Sequence, residues 1–439
     1  MLLENINYLD GNFALVCGAN LLIESGRIAY LGKDKPTGYK GERIDLAGKH
    51  LVLPAFANAH CHIPMVLLRG YGEGLPLDRW LTEKVFPFEA LLTDEDAYWG
   101  SLLGIAELLA SGCASFSDMY MNLPGILRAV HESGIKANLS HGTSAPGQDP
   151  DFQDTGAFAG TEAILDFVAK HPACRITPEI SLHAEYTSNE NTARTLLAYG
   201  KEHKLRLQIH LSETEKEHEE AKARRGKTPL RYFVDLGLFD LPVILAHCVW
   251  LEDSDYELLT QLVKAGKDIT LVHNPSSNLK LASGFADLKR WEQTGVNIAI
   301  GTDGASSNNN LNMLEEITLA SLLQKAVSRD PAFMGPAMTF RLASEGGYLA
   351  QGHCDAGLIR EGYRADLAIF NLDNYQTIPL YDPASNLLYA ADREQLAYTI
   401  VDGEILYQHG KFTHIDMDRV KQEVQRIAKE KMALLSKQA

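Results

Sequence analysis

The chain has 439 residues, 45% of them hydrophobic and 22% charged, so it can bury a large core. Its net charge of −16 comes without any basic stripe, which argues against nucleic acid as a polymer partner. Six scattered cysteines with no CxxC pair exclude a disulfide scaffold, and no apolar stretch approaches the roughly 18 residues of a membrane helix.

The segment Met1–Asp10 carries Glu4 and Asp10 and lacks the basic start and apolar run of a signal peptide. A reducing cytoplasm is therefore the expected location. An acidic chain of this size is also compatible with a homo-oligomer.

The first fifty residues read as β. Leu21–Ile23 and Ile28–Leu31 flank a turn at Glu24–Arg27. A different rhythm begins near Leu51. Short apolar runs at 55–62, 113–119, 135–141, 175–183, 205–211, 242–247, 268–273 and 296–303 alternate with helical patterns such as 94–110, 162–170, 191–202 and 253–265. Eight strand-like runs interleaved with helices predict parallel βαβ units closing into a (β/α)₈ barrel of the TIM type. After Gly357 the β character returns, at Ala365–Phe370 and at two runs around Asp402-Gly403. The expected architecture is an α/β protein. Residues 55–355 form the barrel, residues 1–54 and 356–415 form a small β-sandwich from both chain ends, and residues 416–439 form a terminal helix.

The candidate chemistry lies at the ends of the runs. His60-Cys61-His62 closes the first, and residues i and i+2 of a strand point the same way, so both imidazoles can face one metal ion. Alone this is weak, because 15 histidines give about half an HxH per chain by chance. Position strengthens it: His210 is at the end of the fifth run, His247 ends the sixth and Asp303 ends the eighth, and a (β/α)₈ enzyme keeps its chemistry at the C-terminal ends of its strands. Imidazoles with a carboxylate suit Zn²⁺ or another borderline divalent ion. His273-Asn274-Pro275 reads instead as a turn or helix start. Gly70–Gly74 does not match a dinucleotide-binding loop.

These residues resemble the amidohydrolase superfamily, in particular its methylthioadenosine/S-adenosylhomocysteine deaminase branch, which is related to the triazine chlorohydrolases. The stretches that carry the resemblance are His60–Met65, Leu67–Gly70, Leu75–Leu81, Phe86–Glu89, His210–Thr214, His247–Val249, His273–Leu281 and Gly301–Asn309. The resemblance implies one divalent ion, zinc first with iron(II) or manganese(II) as alternatives, on His60, His62, His210 and Asp303. His247 would contact the attacking water. No lysine lies between Arg175 and Tyr186, where two-metal relatives carry a bridging one, so a mononuclear site is expected. Glu89 resembles the carboxylate that holds ribose hydroxyls. Trp80 and His183 resemble substrate contacts, and His141 at the end of the third run is a further candidate.

The implied reaction replaces the amino group of an adenosine-type nucleoside by water. Attack on the ring carbon breaks aromaticity unless the adjacent ring nitrogen is protonated, and Glu213, three residues past His210, suits that role. The expected substrates are methylthioadenosine, 5′-deoxyadenosine, adenosine or S-adenosylhomocysteine. The last is disfavoured, because no Lys or Arg lies between His141 and Ala169 to meet an amino-acid tail. The runners-up are a deaminase of a free base or pterin, a chlorohydrolase of the same superfamily, or a catalytically silent binding protein.

Overall fold

A computed structural model of the chain describes residues 1–438. Five strands come first: β1 (Leu2–Leu9), β2 (Leu15–Glu24), β3 (Arg27–Gly32), β4 (Arg43–Asp45) and β5 (His50–Pro54). The eight strands β6 (Phe56–Cys61), β7 (Cys113–Tyr120), β8 (Lys136–Thr143), β9 (Ile176–Leu182), β10 (Arg206–Leu211), β11 (Val243–His247), β12 (Ile269–His273) and β13 (Asn297–Ile300) follow, with helices between them. Four more strands close the chain: β14 (Leu367–Asn371), β15 (Leu396–Val401), β16 (Glu404–Gln408) and β17 (Lys411–Phe412).

β6 to β13 form one parallel sheet in chain order, each strand beside the next. Their side chains are almost wholly buried, as strands covered on both faces require. The seam between β13 and β6 is joined by the Asp303 amide donating to the His60 carbonyl at 3.0 Å and the Thr302 amide donating to Asn58 Oδ1 at 3.0 Å. This is the eight-stranded barrel expected from the sequence. The eighth run is shorter than its apolar pattern: pairing stops at Ile300, and residues 301–303 swing in to meet His60. Gly301 permits the swing, because a Cβ there would lie 2.8 Å from the His60 carbonyl oxygen.

The two chain ends share one nine-stranded mixed sheet, in which β5 pairs with β1 on one side and β14 on the other. Alternation along these strands divides their side chains between two cores. Leu51, Leu53, Ala368 and Phe370 join the barrel's core. Val52, Leu367 and Ile369 join a smaller core with Ile6, Leu21 and Ile400. Both expected tight turns are present, with left-handed φ at Ser25-Gly26 (+50°, +76°) and at Asp402-Gly403 (+45°, +77°). Beneath the barrel, the buried Lys136 pairs with Asp366 and, at 2.7 Å, with Asp402, tying the barrel to this sheet.

The terminal helix spans Met417–Gln438 and packs on the helix Asp94–Leu109, with Lys431 2.8 Å from Asp96. Ala439, the last residue of the expected helix, lies outside the described residues. No described helix is long and apolar enough to cross a membrane.

Candidate functional site

Five side chains converge at the C-terminal mouth of the barrel. His60 is completely buried on β6, and His62 sits one residue past that strand. His62 donates from Nδ1 to the Met119 carbonyl at 2.6 Å, and His210 donates from Nδ1 to the His183 carbonyl at 2.7 Å. Both rings therefore turn Nε2 toward the same point, and these two atoms face each other at 3.2 Å. His62 Nε2 is also 3.2 Å from Asp303 Oδ1, and His60 Nε2 is 3.7 Å from it. His60 Nε2 is buried and has no hydrogen-bond partner. His60, His210, His247 and Asp303 each offer one atom within 4.8 Å of the others.

Ring nitrogens converging in this way are tolerable only around a positive charge. Burial pulls the His62 pKa down, but the hydrogen bond to Asp303 and its charge outweigh this and raise it to about 9. Nε2 donors fixed from behind through Nδ1, together with one carboxylate, form the donor set of a divalent metal ion, and these residues fit one. Asp303 is held ready for it: its Oδ2 accepts from Ser277 Oγ at 2.6 Å and from Ser307 Oγ at 2.9 Å, leaving Oδ1 toward the imidazoles.

Glu213 and His247 stand beside this cluster. His247 Nε2 lies 3.8 Å from Glu213 Oε2, and its Nδ1 lies 2.9 Å from Asn278 Oδ1. Glu213 Oε1 accepts from Ser283 Oγ at 3.3 Å. Burial raises the Glu213 pKa above the usual carboxylate range, while His247 opposes it. His247, Asp303 and Ser212 all take left-handed φ, of +71°, +60° and +48°. Such conformations cost energy in non-glycine residues and gather where function needs them.

One cavity of about 340 Å³ joins these groups to the loops above. Glu89, Trp80 and His183 line it with His62, His210, Glu213, His247 and Asp303. Burial pushes the Glu89 carboxyl up to about 7, against the pull of the neighbouring Tyr120 hydroxyl and of His62. His183 sets its Nδ1 2.9 Å from Thr187 Oγ1, and burial, with His62 adding, lowers it to about 4, so it is neutral at pH 7. Among the described residues, no lysine or arginine lines the cavity. His141 does not line it either. β8 runs on to Thr143, its Asn138 and Ser140 side chains bond inside the barrel, and the opposite parity turns the His141 ring out against Gly160. His273 is buried beside Trp291 rather than among the converging groups, and Asn274 after it begins the helix Pro275–Lys280. A larger open groove of about 830 Å³ lies elsewhere, and its Lys222 and Lys227 are already paired with Glu252 and Asp235.

The amidohydrolase family model matches residues 51–406. The chain belongs to the amidohydrolase family. This amidohydrolase is 37% identical over 434 residues to the 5-methylthioadenosine/S-adenosylhomocysteine deaminase of Acetivibrio thermocellus, covering 98% of this chain and 99% of that protein. It is 38% identical over 392 residues to the 5′-deoxyadenosine deaminase of Methanothermobacter thermautotrophicus, covering 89% and 90%. Among solved structures, a zinc-bound adenosine deaminase from Xanthomonas campestris superposes with a TM-score of 0.88 at 27% identity, covering 98% of each chain. An atrazine chlorohydrolase from Arthrobacter aurescens shares the fold alone, with a TM-score of 0.87 at 18% identity over 97% of this chain and 99% of that one.

Several supporting residues escaped the sequence reading. Ser277 and Asn278 hold Asp303 and His247, and Gln208 Oε1 stands 3.4 Å from His60 Nδ1. Ser277 and Asn278 lie in the stretch His273–Leu281, which carried the family resemblance without a role for them. For Gln208 the available signal was parity, since it lies two residues before His210 on β10.

Proposed function

We propose that this amidohydrolase removes the 6-amino group of an adenosine-type nucleoside with an uncharged 5′ substituent, giving the inosine-type product and ammonia. One observation carries the reading. A single cavity brings Glu213 and the imidazole–Asp303 cluster together with a second buried carboxylate, Glu89, that no lysine or arginine of the lining meets. A bare ring of purine size already directed at Glu213 and the imidazole cluster leaves that carboxylate without the paired hydroxyls that a ribose diol offers as two donors. The activities named for the relatives above support the same class.

His60, His62, His210 and Asp303 would hold one divalent ion, with zinc the first choice and iron(II) or manganese(II) distinguishable by metal analysis. When bound, such an ion lowers the pKa of water enough to supply a nucleophile at neutral pH. Asp303 and His247 accept the proton of the attacking water and orient its oxygen. Glu213, whose pKa burial raises, gives its proton to the ring nitrogen beside the attacked carbon, and the proton taken from the water passes to the amino group, which leaves as ammonia when the C–N bond breaks. Glu89 accepts from the ribose hydroxyls, and His183 and Trp80 pack against the nucleoside.

Most of the remaining lining is apolar, with Leu77, Phe86, Met119, Met121 and Pro146 among it, and its other polar groups are the uncharged hydroxyls of Ser144, Tyr120 and Tyr186. A zwitterionic homocysteine tail would leave its carboxylate unpaired there. The test is ammonia release from methylthioadenosine, 5′-deoxyadenosine, adenosine, S-adenosylhomocysteine, adenine and guanine assayed together. The uncharged nucleosides should lead in kcat/KM. Clear preference for S-adenosylhomocysteine overturns the 5′ assignment, and turnover of free bases alone overturns the nucleoside assignment.

A further inference from the structure

The turn that carries Glu213 into the cavity is held from behind by a residue that never reaches the cavity. Ser212 sits in the left-handed region, φ +48°, where a serine stays only if its surroundings over-determine it. The next helix, Glu215–Arg225, supplies the restraint. Glu217 Oε1 accepts from the Ser212 amide at 3.1 Å, and Glu217 Oε2 accepts from the Glu213 amide at 2.8 Å. His218, the next residue, sets its Nδ1 3.1 Å from Ser212 Oγ. Both side chains are buried.

Glu217 is an expensive choice for a structural turn. Among the described residues it is a buried carboxylate with no lysine or arginine partner, and burial pushes it up to about 7, with the charge of Glu213 adding. Thr214 caps the first turn of the same helix by accepting from the Glu217 amide at 3.1 Å, so the helix start is already secured. The two oxygens are spent instead on consecutive amides of one strained turn. Their effect is to fix the direction in which the Glu213 side chain leaves the backbone.

We infer that Glu217 is the positioning residue for Glu213: its carboxylate clamps the Ser212 and Glu213 amides and so holds the Glu213 carboxyl beside His247 and Ser283. This rests on the reading of Glu213 as the group that moves the proton. Glu217 acts through Glu213 and touches neither substrate nor metal ligands.

The experiment is a double-mutant cycle in the metal-loaded enzyme, with methylthioadenosine as substrate. Glu217→Ala should lower kcat by about 10²-fold, the scale of a misplacement near 1 Å, with KM and metal content unchanged. Glu217→Gln, which keeps one acceptor, should recover part of that loss, and it carries the test if the alanine variant does not fold. In a Glu213→Gln background, Glu217→Ala should cost no more than about twofold, because the residue it acts through is already disabled. An undiminished further loss in that background, or a loss of metal, overturns the inference. If the wild type releases no ammonia from any nucleoside, the proposed function fails, and crystal structures of the zinc-loaded Glu217 variants still decide the clamp. Glu213 should then leave hydrogen-bond reach of Ser283, and Glu213 staying in place overturns it.

Discussion

The cavity has two walls of different construction. The barrel wall is made of residues at or just past strand ends, and each is fixed from behind: His62 by the Met119 carbonyl, His210 by the His183 carbonyl, His247 by Asn278, Asp303 by two serines. The loop wall comes from segments laid over the mouth, and its Phe86, Met121 and Tyr186 are 43%, 39% and 36% exposed. The first wall is polar and pre-organised, as a site that must stabilise developing charge requires. The second is mostly apolar, with Glu89 its acidic group, and its shape decides which nucleoside enters. Chemistry and selectivity thus rest on different parts of the fold, so single substitutions should separate them.

The largest effect should come from breaking the barrel wall at its metal cluster. His62→Ala removes the Nε2 that stands 3.2 Å from both His210 Nε2 and Asp303 Oδ1. Metal content should fall from near one equivalent, and activity should be lost with it. Full metal retention with normal turnover would remove His62 from the ligand set. Glu213→Gln comes next. It should keep the metal, as elemental analysis would show, while turnover falls by about 10²–10⁴-fold, the usual loss of a placed acid or base. Retention of most activity would reduce Glu213 to a buried strand-end carboxylate.

The two walls also differ in how far the sequence discloses them. The barrel wall was legible because strand ends recur at regular intervals and the ligand types are rare. His60, His62, His210, His247 and Asp303 stand together as their positions implied. What escaped was parity and backbone sign. His141 was expected at a strand end, yet β8 continues to Thr143 and the polar inward set Asn138 and Ser140 puts His141 on the helix side. The left-handed turns at Ser212, His247 and Asp303 leave no mark on an apolar pattern, since none uses glycine. The loop wall was legible only where a resemblance named Trp80 and Glu89. Tyr120 stands beside Glu89 from the end of β7, while the apolar rim follows from how loops fold over the mouth, which periodicity does not encode.

Glu89→Ala tests the loop wall. The loss in kcat/KM for adenosine or methylthioadenosine should be roughly 10- to 10²-fold, the about 1.5–3 kcal/mol of hydrogen bonds to a charged group. Metal content should not change, which distinguishes this wall from the other. Nucleosides lacking the 2′ and 3′ hydroxyls should lose little, because they never made the contact. An equal loss for these analogues would mean that Glu89 serves the ring or the metal cluster, and the division into two walls would fail.

The smallest effect is one of stability, and it lies beneath the barrel wall. Glu179 is buried in the barrel interior, where its carboxyl accepts from Asn138 Nδ2 at 2.7 Å and from Gln208 Nε2 at 3.2 Å, and Gln208 in turn faces His60. Burial raises its pKa to about 7, outweighing Asn138, the Arg206 charge and Gln208, which all act to lower it. The folded value is thus above the unfolded one of about 4.3, so the native state binds the extra proton between them. Stability from this group is fully present below the unfolded pKa and is lost as pH rises through about 7. Glu89, Glu217 and Glu316 are raised to about 7 as well and act with the same sign, so removing Glu179 alone should flatten the decline without abolishing it. The measurement is Tm for wild type and Glu179→Gln, both metal-loaded, at intervals from pH 5 to pH 8. The wild type should lose more Tm across that window than the variant, with the gap widening from pH 5 to about pH 7 and levelling off above it. Parallel curves would mean that Glu179 titrates alike in both states, and a steeper fall in the variant would reverse the sign of the argument.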